Sequence, residues 1–276
     1  MCVYHGDTPA WFRMAVESVL NQTVKPDEIV LVVDGPVPDE LKAVICEYER
    51  MDMFRVIWFP ENKGHGEARR AGLEQCTHEL VALMDADDIC SPDRFEHQLK
   101  AFCEDPDLAV VGGQIEEFID EIENVAGCRI VPLLNNKIRK DLKKRCPMNQ
   151  VTVMFRKQAV LQVGGYRDWY CNEDYYLWNR MYLAGMKFGN VPQILVHVRV
   201  GADMYNRRGG WKYFLSEYKM QNYMMRNGII GPATWLINVS KRFIVQVLLP
   251  NKVRGIVFKR FARKSSVKSE DVYETA

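Results

Sequence analysis

Several features are missing from this 276-residue sequence, and each absence narrows the class of protein. None of the eight cysteines lies within three positions of another, so there is no C-x-x-C pair of the kind that binds zinc or exchanges disulfides. No segment is low in complexity and no period of a few tens of residues recurs, which argues against disorder and repeat architectures. The length suits one large domain, or a domain plus an appendage.

Acidic residues are absent from positions 218–269, which contain eleven lysines and arginines. The whole chain has a formal net charge of +1, but without those eleven the remaining 26 basic residues face all 36 acidic ones. The C-terminal region is therefore a different kind of surface from the rest. Within it, 235–249 is apolar but is interrupted by Lys241 and Arg242, and it is too short and too charged to span a bilayer.

The mixture of apolar and cationic side chains in 211–276 predicts a helical, basic segment that lies on an anionic membrane surface. The alternative is a helical cap packed on the preceding domain. No recognisable nucleic-acid-binding module is present, so no nucleic acid partner is expected. The scattered cysteines and the missing signal peptide predict reduced thiols. The expected location is therefore cytoplasmic, peripheral at the inner face of the cytoplasmic membrane.

Strands and helices are predicted to alternate through the first 113 residues. In 9–21 the apolar side chains recur at i, i+3, i+4 and i+7, as on a helix that lies on a core. The β-branched run at 28–33 predicts a strand covered on both faces. Further strands are predicted at 54–59, 79–84 and 108–113, with helices between them. This alternation predicts an α/β fold with a Rossmann-like, mostly parallel central sheet flanked by helices.

The pattern is looser beyond residue 113. An irregular or helical stretch to about 147 is predicted, followed by a short strand at 151–155, helices at 156–163 and 173–184, and a final strand at 187–198. The predicted organisation is a domain at 1–210, with a nucleotide-binding half at about 1–113 and an acceptor half at about 114–210. The helical, basic extension at 211–276 follows it.

Carboxylates are concentrated where predicted strands end. Asp34 follows the strand at 28–33, and Asp85, Asp87 and Asp88 follow the strand at 79–84. In a parallel α/β sheet, ligands bind beyond these carboxyl ends. Three carboxylates within four residues raise one another's pKa unless a cation or hydrogen-bond donors compensate, so they suggest Mn²⁺ or Mg²⁺ bridging to a diphosphate. The alternative is a solvated acidic turn that caps the next helix.

Six short motifs occur in an order that resembles family 2 glycosyltransferases of the GT-A fold. They are Asn21-Gln-Thr23, Val33-Asp34-Gly35, Asn62-x-Gly64 with Ala68-Arg69, Asp85-Ala-Asp-Asp88, Gly164-Gly165-Tyr166 and Glu173-Asp174. The resemblance extends from Val3 to about Gly210, and it is especially marked to bacterial transferases that build capsular, exopolysaccharide or O-antigen repeat units. It implies a nucleotide-sugar donor, usually a UDP-sugar, and a saccharide or polyprenyl-linked saccharide acceptor.

The resemblance assigns roles on the donor side. Val3 and Tyr4 would line the nucleoside pocket, Asp34 would hydrogen-bond the base, and Arg69 would reach the nucleotide. Asp85 and Asp87 match the family's DxD pair, which holds the metal and the diphosphate.

On the acceptor side, the resemblance makes Asp174 the catalytic base. An acceptor hydroxyl needs a carboxylate within hydrogen-bond reach to take its proton as it attacks the anomeric carbon. A single base on the face opposite the leaving group predicts inversion. The alternative is that Glu173 and Asp174 only stabilise the first turn of a helix. The residues expected beside the donor sugar or the acceptor are Asp88, Gly164, Gly165 and Glu173.

Four further residues are candidate ligands near the end of the predicted domain. His197 lies where many GT-A enzymes place a histidine that completes the metal shell, and it could equally be a core histidine. Arg199, Arg207 and Arg208 are candidates for holding the diphosphate, because a guanidinium suits bidentate contacts. For these arginines the alternative is a solvated basic loop.

Two other classes of protein remain open. A nucleotidyltransferase of sugar phosphates would share the scaffold and the metal, but it should have a glycine-rich basic loop at the first strand-to-helix turn, which His5-Gly6-Asp7 does not provide. The other is a catalytically impaired sugar-nucleotide-binding protein. It is suggested because only Met1 and Cys2 precede Val3, where the family has a fuller first strand.

Overall fold

The computed structural model describes residues 1–201 and 209–249. The predictions for Arg207 and Arg208, and those for the basic segment beyond residue 249, fall outside these residues. Within the described part, the chain forms nine strands, nine α-helices, one 3-10 turn and one π-helical turn.

A three-stranded parallel sheet opens the fold. Its strands, in spatial order, are β1 (Cys2–Val3), β2 (Ile29–Val33) and β3 (Phe54–Trp58). Its helices are α1 (Pro9–Leu20), α2 (Asp39–Glu49) and α3 (His65–Gln75). All five residues of β2 are buried, as the β-branched run predicts for a strand covered on both faces. The expected alternation of strands and helices is therefore confirmed in this part.

The second sheet is mixed. Its strands are β4 (Leu80–Ala82), β5 (Ile89–Cys90), β6 (Leu108–Phe118), β7 (Val125–Arg129), β8 (Met154–Arg156) and β9 (Lys187–Arg199). They are arranged β4-β8-β6-β9-β5, with β7 also paired to β6. Only β6 and β9 pair in parallel, and the other ladders are antiparallel. The α/β class is confirmed, whereas parallel pairing is less extensive than predicted. One reason is that the connection between β6 and β7, residues 119–124, is too short for the crossover that parallel strands require.

The remaining helices cover the second sheet and extend beyond it. They are α4 (Arg94–Glu104), α5 (Asn135–Leu142), α6 (Lys157–Gln162), α7 (Glu173–Leu183), α8 (Trp211–Arg226) and α9 (Pro232–Phe243), with a 3-10 turn at Gln150–Thr152 and a π-helical turn at Ile244–Leu248. None of the helices in 1–201 and 209–249 has the length and apolar character needed to cross a membrane.

The prediction of an irregular or helical stretch between 114 and 147 is wrong for its first part. β6 continues to Phe118 and β7 follows before α5 begins. Polar residues interrupt the apolar pattern of β6, but their hydrogen-bonding groups find partners in the structure. The buried side chain of Gln114 accepts from the backbone N–H of Val131 and donates to the carbonyl of Val191. β6 therefore runs across the predicted boundary at 113, and the two predicted halves share this strand.

Two apolar cores lie within the described residues. The first packs α1, α2 and α4 against the strands, and includes Phe12, Leu31, Ile45, Phe95 and Leu195. The second lies between α6, α7, α8 and the second sheet, and includes Phe155, Tyr166, Tyr175, Trp178 and Met220. A cavity of about 210 Å³ separates β1 and β2 from β4 and is lined mostly by apolar side chains. The two sheets meet there without a backbone ladder among the described residues.

Candidate functional site

A pocket of about 560 Å³ opens at the carboxyl ends of the first parallel strands. It brings together five of the residues expected on the donor side: Val3, Tyr4, Asp34, Asp85 and Asp87. The position is the one at which an α/β sheet binds ligands, because β1, β2 and β4 all end there.

Asp34 holds the neighbouring loop through its carboxylate. Its Oδ1 accepts from the backbone N–H of Lys63 at 2.7 Å, and its Oδ2 accepts from that of Gly64 at 3.0 Å. The Asn62 side chain donates to the Asp34 carbonyl at 3.1 Å. Each carboxylate oxygen can accept two hydrogen bonds, so Asp34 keeps capacity for a donor in the pocket. Its expected contact with a nucleobase stays a prediction.

The acidic loop between β4 and β5 concentrates negative charge at the pocket. Burial and the neighbouring carboxylates of Asp87 and Asp85 hold the pKa of Asp88 well above its usual range. Asp7 adds a further carboxylate from the turn after β1. Burial, with a contribution from Asp87 and Asp85, raises the pKa of Asp7 to about 6. A divalent cation would relieve this repulsion, so the donor set fits Mg²⁺ or Mn²⁺.

The protein does not supply a closed metal cage in this region. In 1–201 and 209–249, no three His, Cys, Asp or Glu side chains are arranged to hold an ion together. Mg²⁺ characteristically binds one or two carboxylates together with substrate phosphates and waters. Asp85 and Asp87 on the pocket wall provide the two carboxylates that such a site needs.

Arg69 connects the pocket to the other half of the site. This buried guanidinium donates to Asp85 Oδ1 at 3.2 Å and to Glu173 Oε1 at 2.7 Å. Burial opposes ionisation of Asp85, but the attraction of Arg69, together with His65 and the N-terminal amine, outweighs it and lowers the pKa of that carboxyl. Burial and the adjacent Asp174 raise the pKa of Glu173 in spite of the same guanidinium. The expected contact of Arg69 with a nucleotide stays a prediction, because both observed partners are carboxylates.

Glu173 and Asp174 lie in the first turn of α7, where the helix dipole favours negative charge. Asp174 Oδ1 accepts from the backbone N–H of Tyr175 at 2.6 Å, and the Cys146 thiol lies 3.7 Å from Oδ2. Burial, reinforced by Asp174, raises the pKa of the Cys146 thiol, so Cys146 is a neutral neighbour. The expected acidic pair therefore has the predicted place in the helix.

Gly164 and Gly165 end α6 with φ values of +85° and +63°. Their N–H groups donate to the carbonyls of Leu161 and Val160, which closes the helix end. The Gly165 carbonyl accepts from the Arg180 guanidinium at 2.6 Å. These glycines therefore redirect the chain toward Glu173, and their expected approach to the donor sugar or acceptor stays a prediction.

His197 and Arg199 have partners around the acidic loop. The ring nitrogens of His197 lie 3.2 Å from Glu116 Oε2 and 3.4 Å from Ser91 Oγ. The Arg199 backbone N–H donates to Asp88 Oδ1 at 2.9 Å, and its guanidinium donates to the Asp87 carbonyl at 3.2 Å. Arg199 thus holds this loop in place. Metal ligation by His197 and diphosphate binding by Arg199 stay predictions.

The pocket also contains residues to which the sequence analysis gave no role there. Asp7 reaches it because the Tyr4 N–H donates to Asp7 Oδ2 at 2.9 Å across the turn after β1. Its position beyond the carboxyl end of a strand is the signal that could have identified it. Trp11, Asn62 and His65 also line the pocket.

Residues 1–168 match the family described as glycosyl transferase family 2. Three relatives align over nearly the whole chain. An uncharacterized glycosyltransferase of Haemophilus influenzae is 38% identical over 96% of this chain and 98% of its own length. The amylovoran biosynthesis glycosyltransferase AmsE of Erwinia amylovora is 37% identical over 94% and 96%. An Escherichia coli UDP-Gal:alpha-D-GlcNAc-diphosphoundecaprenol beta-1,3-galactosyltransferase is 35% identical over 96% and 95%.

Two solved structures share the fold at low sequence identity. The S. aureus TarS fragment 1-349 in complex with UDP-GlcNAc has a TM-score of 0.64 at 15% identity, over 88% of this chain and 71% of that one. The mannosyltransferase PcManGT of Pyrobaculum calidifontis in complex with GDP-Man and Mn²⁺ has a TM-score of 0.59 at 14% identity, over 99% and 77%. These likenesses confirm the GT-A fold. The family match covers more than half of the chain and the relatives are 35–38% identical over nearly all of it, so the chain belongs to glycosyl transferase family 2.

Proposed function

We propose that this glycosyltransferase is metal-dependent and inverting, and that it transfers a sugar from a nucleotide-sugar, most readily a UDP-sugar, to a hydroxyl of a lipid-carrier-linked saccharide during bacterial surface polysaccharide synthesis. The observation that carries the proposal is the Arg69 bridge. It joins Asp85 on the wall of the donor pocket to Glu173, the residue before Asp174. A donor in that pocket and a base on α7 would then act on one reaction centre.

The chemistry needs a proton acceptor beside the acceptor hydroxyl. Asp174 is the base in this proposal, and its place in the first turn of α7 puts it beside Glu173. Attack from the side opposite the leaving diphosphate inverts the anomeric carbon. Glu173 pairs with Arg69, and the role of base falls to Asp174 in this proposal.

The donor pocket would hold the nucleotide and its diphosphate. Val3 and Tyr4 border the nucleoside, Asp34 hydrogen-bonds the base, and Asp85 and Asp87 would hold Mn²⁺ or Mg²⁺. When bound, such an ion neutralises charge on the departing diphosphate. The convergence of carboxylates described above supports this part of the proposal. Arg199 would keep the Asp87 backbone in place during the reaction.

The substrate classes are proposed from relatives. The Escherichia coli relative is described as using UDP-Gal and a diphosphoundecaprenol-linked GlcNAc, and AmsE as acting in amylovoran biosynthesis. An acceptor on a lipid carrier would place this enzyme at the inner face of the cytoplasmic membrane. We also propose that the chain divides into a glycosyltransferase domain at 1–210 and a basic extension at 211–276.

A donor-hydrolysis and transfer assay tests the proposal. The full-length protein is incubated with a panel of UDP-sugars, with or without Mn²⁺, and release of UDP is measured with a lipid-linked saccharide acceptor and with a short-chain one. Asp174→Asn should lower turnover by about 10²- to 10⁴-fold and leave metal-dependent stabilisation by the donor intact. The matched control is Asp168→Asn, an exposed carboxylate in the loop before α7, and it should keep turnover.

Two results would contradict the proposal. Unchanged turnover in Asp174→Asn would remove Asp174 as the base. Release of pyrophosphate from a nucleoside triphosphate and a sugar phosphate, without transfer from any UDP-sugar, would make the protein a nucleotidyltransferase instead.

A further inference from the structure

The α8–α9 hairpin carries large apolar side chains on its outer surface. On α8, Trp211 is 60% exposed and Leu215, one helical turn further on, is 49% exposed. Ile244, directly after α9, is 49% exposed. The Trp211 ring lies 5.9 Å from the ring of Phe243, so these side chains are neighbours across the hairpin. The surface formed by Trp211, Leu215 and Ile244 together with Lys212 and Lys241 is called the hairpin face below.

The exposed charge on the hairpin has one sign. Lys212, Lys219, Arg226 and Lys241 are all exposed. The single carboxylate in 209–249 is Glu217, which is buried and pairs with Arg242. An apolar surface flanked by Lys212 and Lys241, with no exposed carboxylate in 209–249, is complementary to an anionic lipid surface.

The hairpin is attached directly to the loop that precedes the proposed base. Ser216 on α8 donates to the Tyr170 carbonyl at 2.6 Å, and the Asn172 side chain donates to Ser216 Oγ at 3.2 Å. Lys212 Nζ lies 4.2 Å from the centroid of the Tyr170 ring, which is itself 43% exposed. The hairpin face therefore borders a loop that ends at Asn172, two residues before Asp174.

We propose that the hairpin face is the surface by which the enzyme docks on an anionic bilayer, with the loop at Tyr170 turned toward the headgroups. Docking in this orientation presents the start of α7 to an acceptor whose lipid carrier stays in the membrane. The inference rests on the proposed function for the identity of the acceptor. It goes beyond that function by naming the face and its orientation.

A second copy of the chain fits this surface less well. A two-fold dimer pairs the same patch on both subunits. Pairing the hairpin face with itself would bring Lys212 and Lys241 of one copy against those of the other. Contact with anionic headgroups instead satisfies these cations and covers the apolar side chains between them.

Vesicle co-sedimentation of the full-length protein tests the inference without any turnover. Wild-type protein should bind vesicles of phosphatidylglycerol and phosphatidylethanolamine, bind neutral phosphatidylcholine weakly, and dissociate as salt is raised. Trp211→Ser with Leu215→Ser should weaken binding at least about tenfold. Lys212→Glu with Lys241→Glu should do so too, because each lysine near an anionic surface contributes about a fivefold factor.

The matched control is Leu134→Ser with Leu183→Ser, two exposed leucines outside the hairpin, and it should bind vesicles like wild type. In parallel, the hairpin variants should lose transfer to a long-chain lipid-linked acceptor while keeping transfer to a short-chain, water-soluble one. Wild-type protein that binds vesicles through the hairpin face but transfers sugar to neither acceptor would count against the proposed function and not against the docking face.

Three results would overturn the inference. If wild-type protein does not bind anionic vesicles at low salt, the hairpin face is not a membrane-docking surface. Hairpin variants that bind as tightly as wild type would show that other parts of the chain make the contact. A concentration-dependent dimer that the Trp211→Ser, Leu215→Ser variant abolishes would make the face a contact between copies.

Discussion

The donor side and the acceptor side of this molecule are built differently. On the donor side, the pocket carboxylates follow the ends of β1, β2 and β4, and Asp34 is fixed by the loop that comes after β3. On the acceptor side, Asp174 is positioned by contacts from distant parts of the chain, including Cys146 and the loop held by Ser216. Local sequence therefore organises the donor pocket, whereas the acceptor side depends on packing between separate elements. Arg69 joins the donor side to the acceptor side through its ion pairs with Asp85 and Glu173.

The largest effects are expected from removing one carboxylate on each side. Asp87→Asn should abolish metal-dependent stabilisation by a UDP-sugar and lower turnover at least about 100-fold, because the diphosphate loses its counterion. Asp174→Asn should lower turnover as strongly but leave that stabilisation in place. Thermal denaturation with donor and Mn²⁺ separates the two outcomes. Asp52→Asn, an exposed carboxylate after α2, is the control. Equal loss of donor binding in both variants would erase the distinction between the two sides.

The bridge between the sides should matter next. Arg69→Met leaves Asp85 and Glu173 in a largely buried position without their cation, which should lower the free energy of unfolding by about 3 kcal/mol. Adding Glu173→Gln should recover part of that loss, because one of the two orphaned charges is gone. Urea denaturation of wild type, both single variants and the double variant measures the coupling. Strictly additive effects would mean that Arg69 and Glu173 do not depend on each other.

Two glycines on the donor side separate the cost of backbone strain from the cost of a steric clash. Gly64 has a φ of +88° and ψ of 161° with open space around a Cβ, so Gly64→Ala should cost about 1–3 kcal/mol from strain alone. Gly35 has a φ of +90°, and a Cβ there would lie 2.6 Å from the backbone nitrogen of Asn62. Gly35→Ala should therefore cost more and should also weaken donor binding, because it displaces the loop that Asp34 holds. Melting temperatures measure both, and equal losses would contradict the steric argument.

What the sequence could predict follows the same division. β2 and α7 lie within a residue or two of their predicted ends, because β-branched runs and helical periodicity are local signals. The sequence predicts that Asp34, Asp85 and Asp87 lie together, because each follows the carboxyl end of a predicted strand, although β2 and β4 belong to different sheets. β7 was missed because its five residues include a glycine and an arginine and do not form a continuous apolar run. The pairing of Arg69 with Glu173 spans 104 positions, and only the packing of the second sheet and α7 brings them together.

The smallest effect concerns Glu28, which joins the first sheet to the turn before β4. Its Oε1 accepts from the backbone N–H groups of Thr77 at 2.6 Å and His78 at 3.3 Å. Burial opposes ionisation, but these hydrogen bonds outweigh it and lower the pKa of Glu28. A lowered pKa means that the stabilisation is present above the unfolded-state value and is lost as pH falls through the folded-state value.

Glu28→Gln keeps the shape but removes the charge, so it should lower the melting temperature by about 1–3 °C at pH 7, since the site is largely solvated. The difference from wild type should shrink as the pH falls through the lowered pKa of Glu28 and its carboxylate becomes protonated. Thermal denaturation at several pH values measures it, with Glu123→Gln in the exposed β6–β7 turn as control. A difference that stays constant down to pH 3 would mean that the charge of Glu28 does not strengthen this junction. The link between the first sheet and β4 would then rest on packing around the cavity.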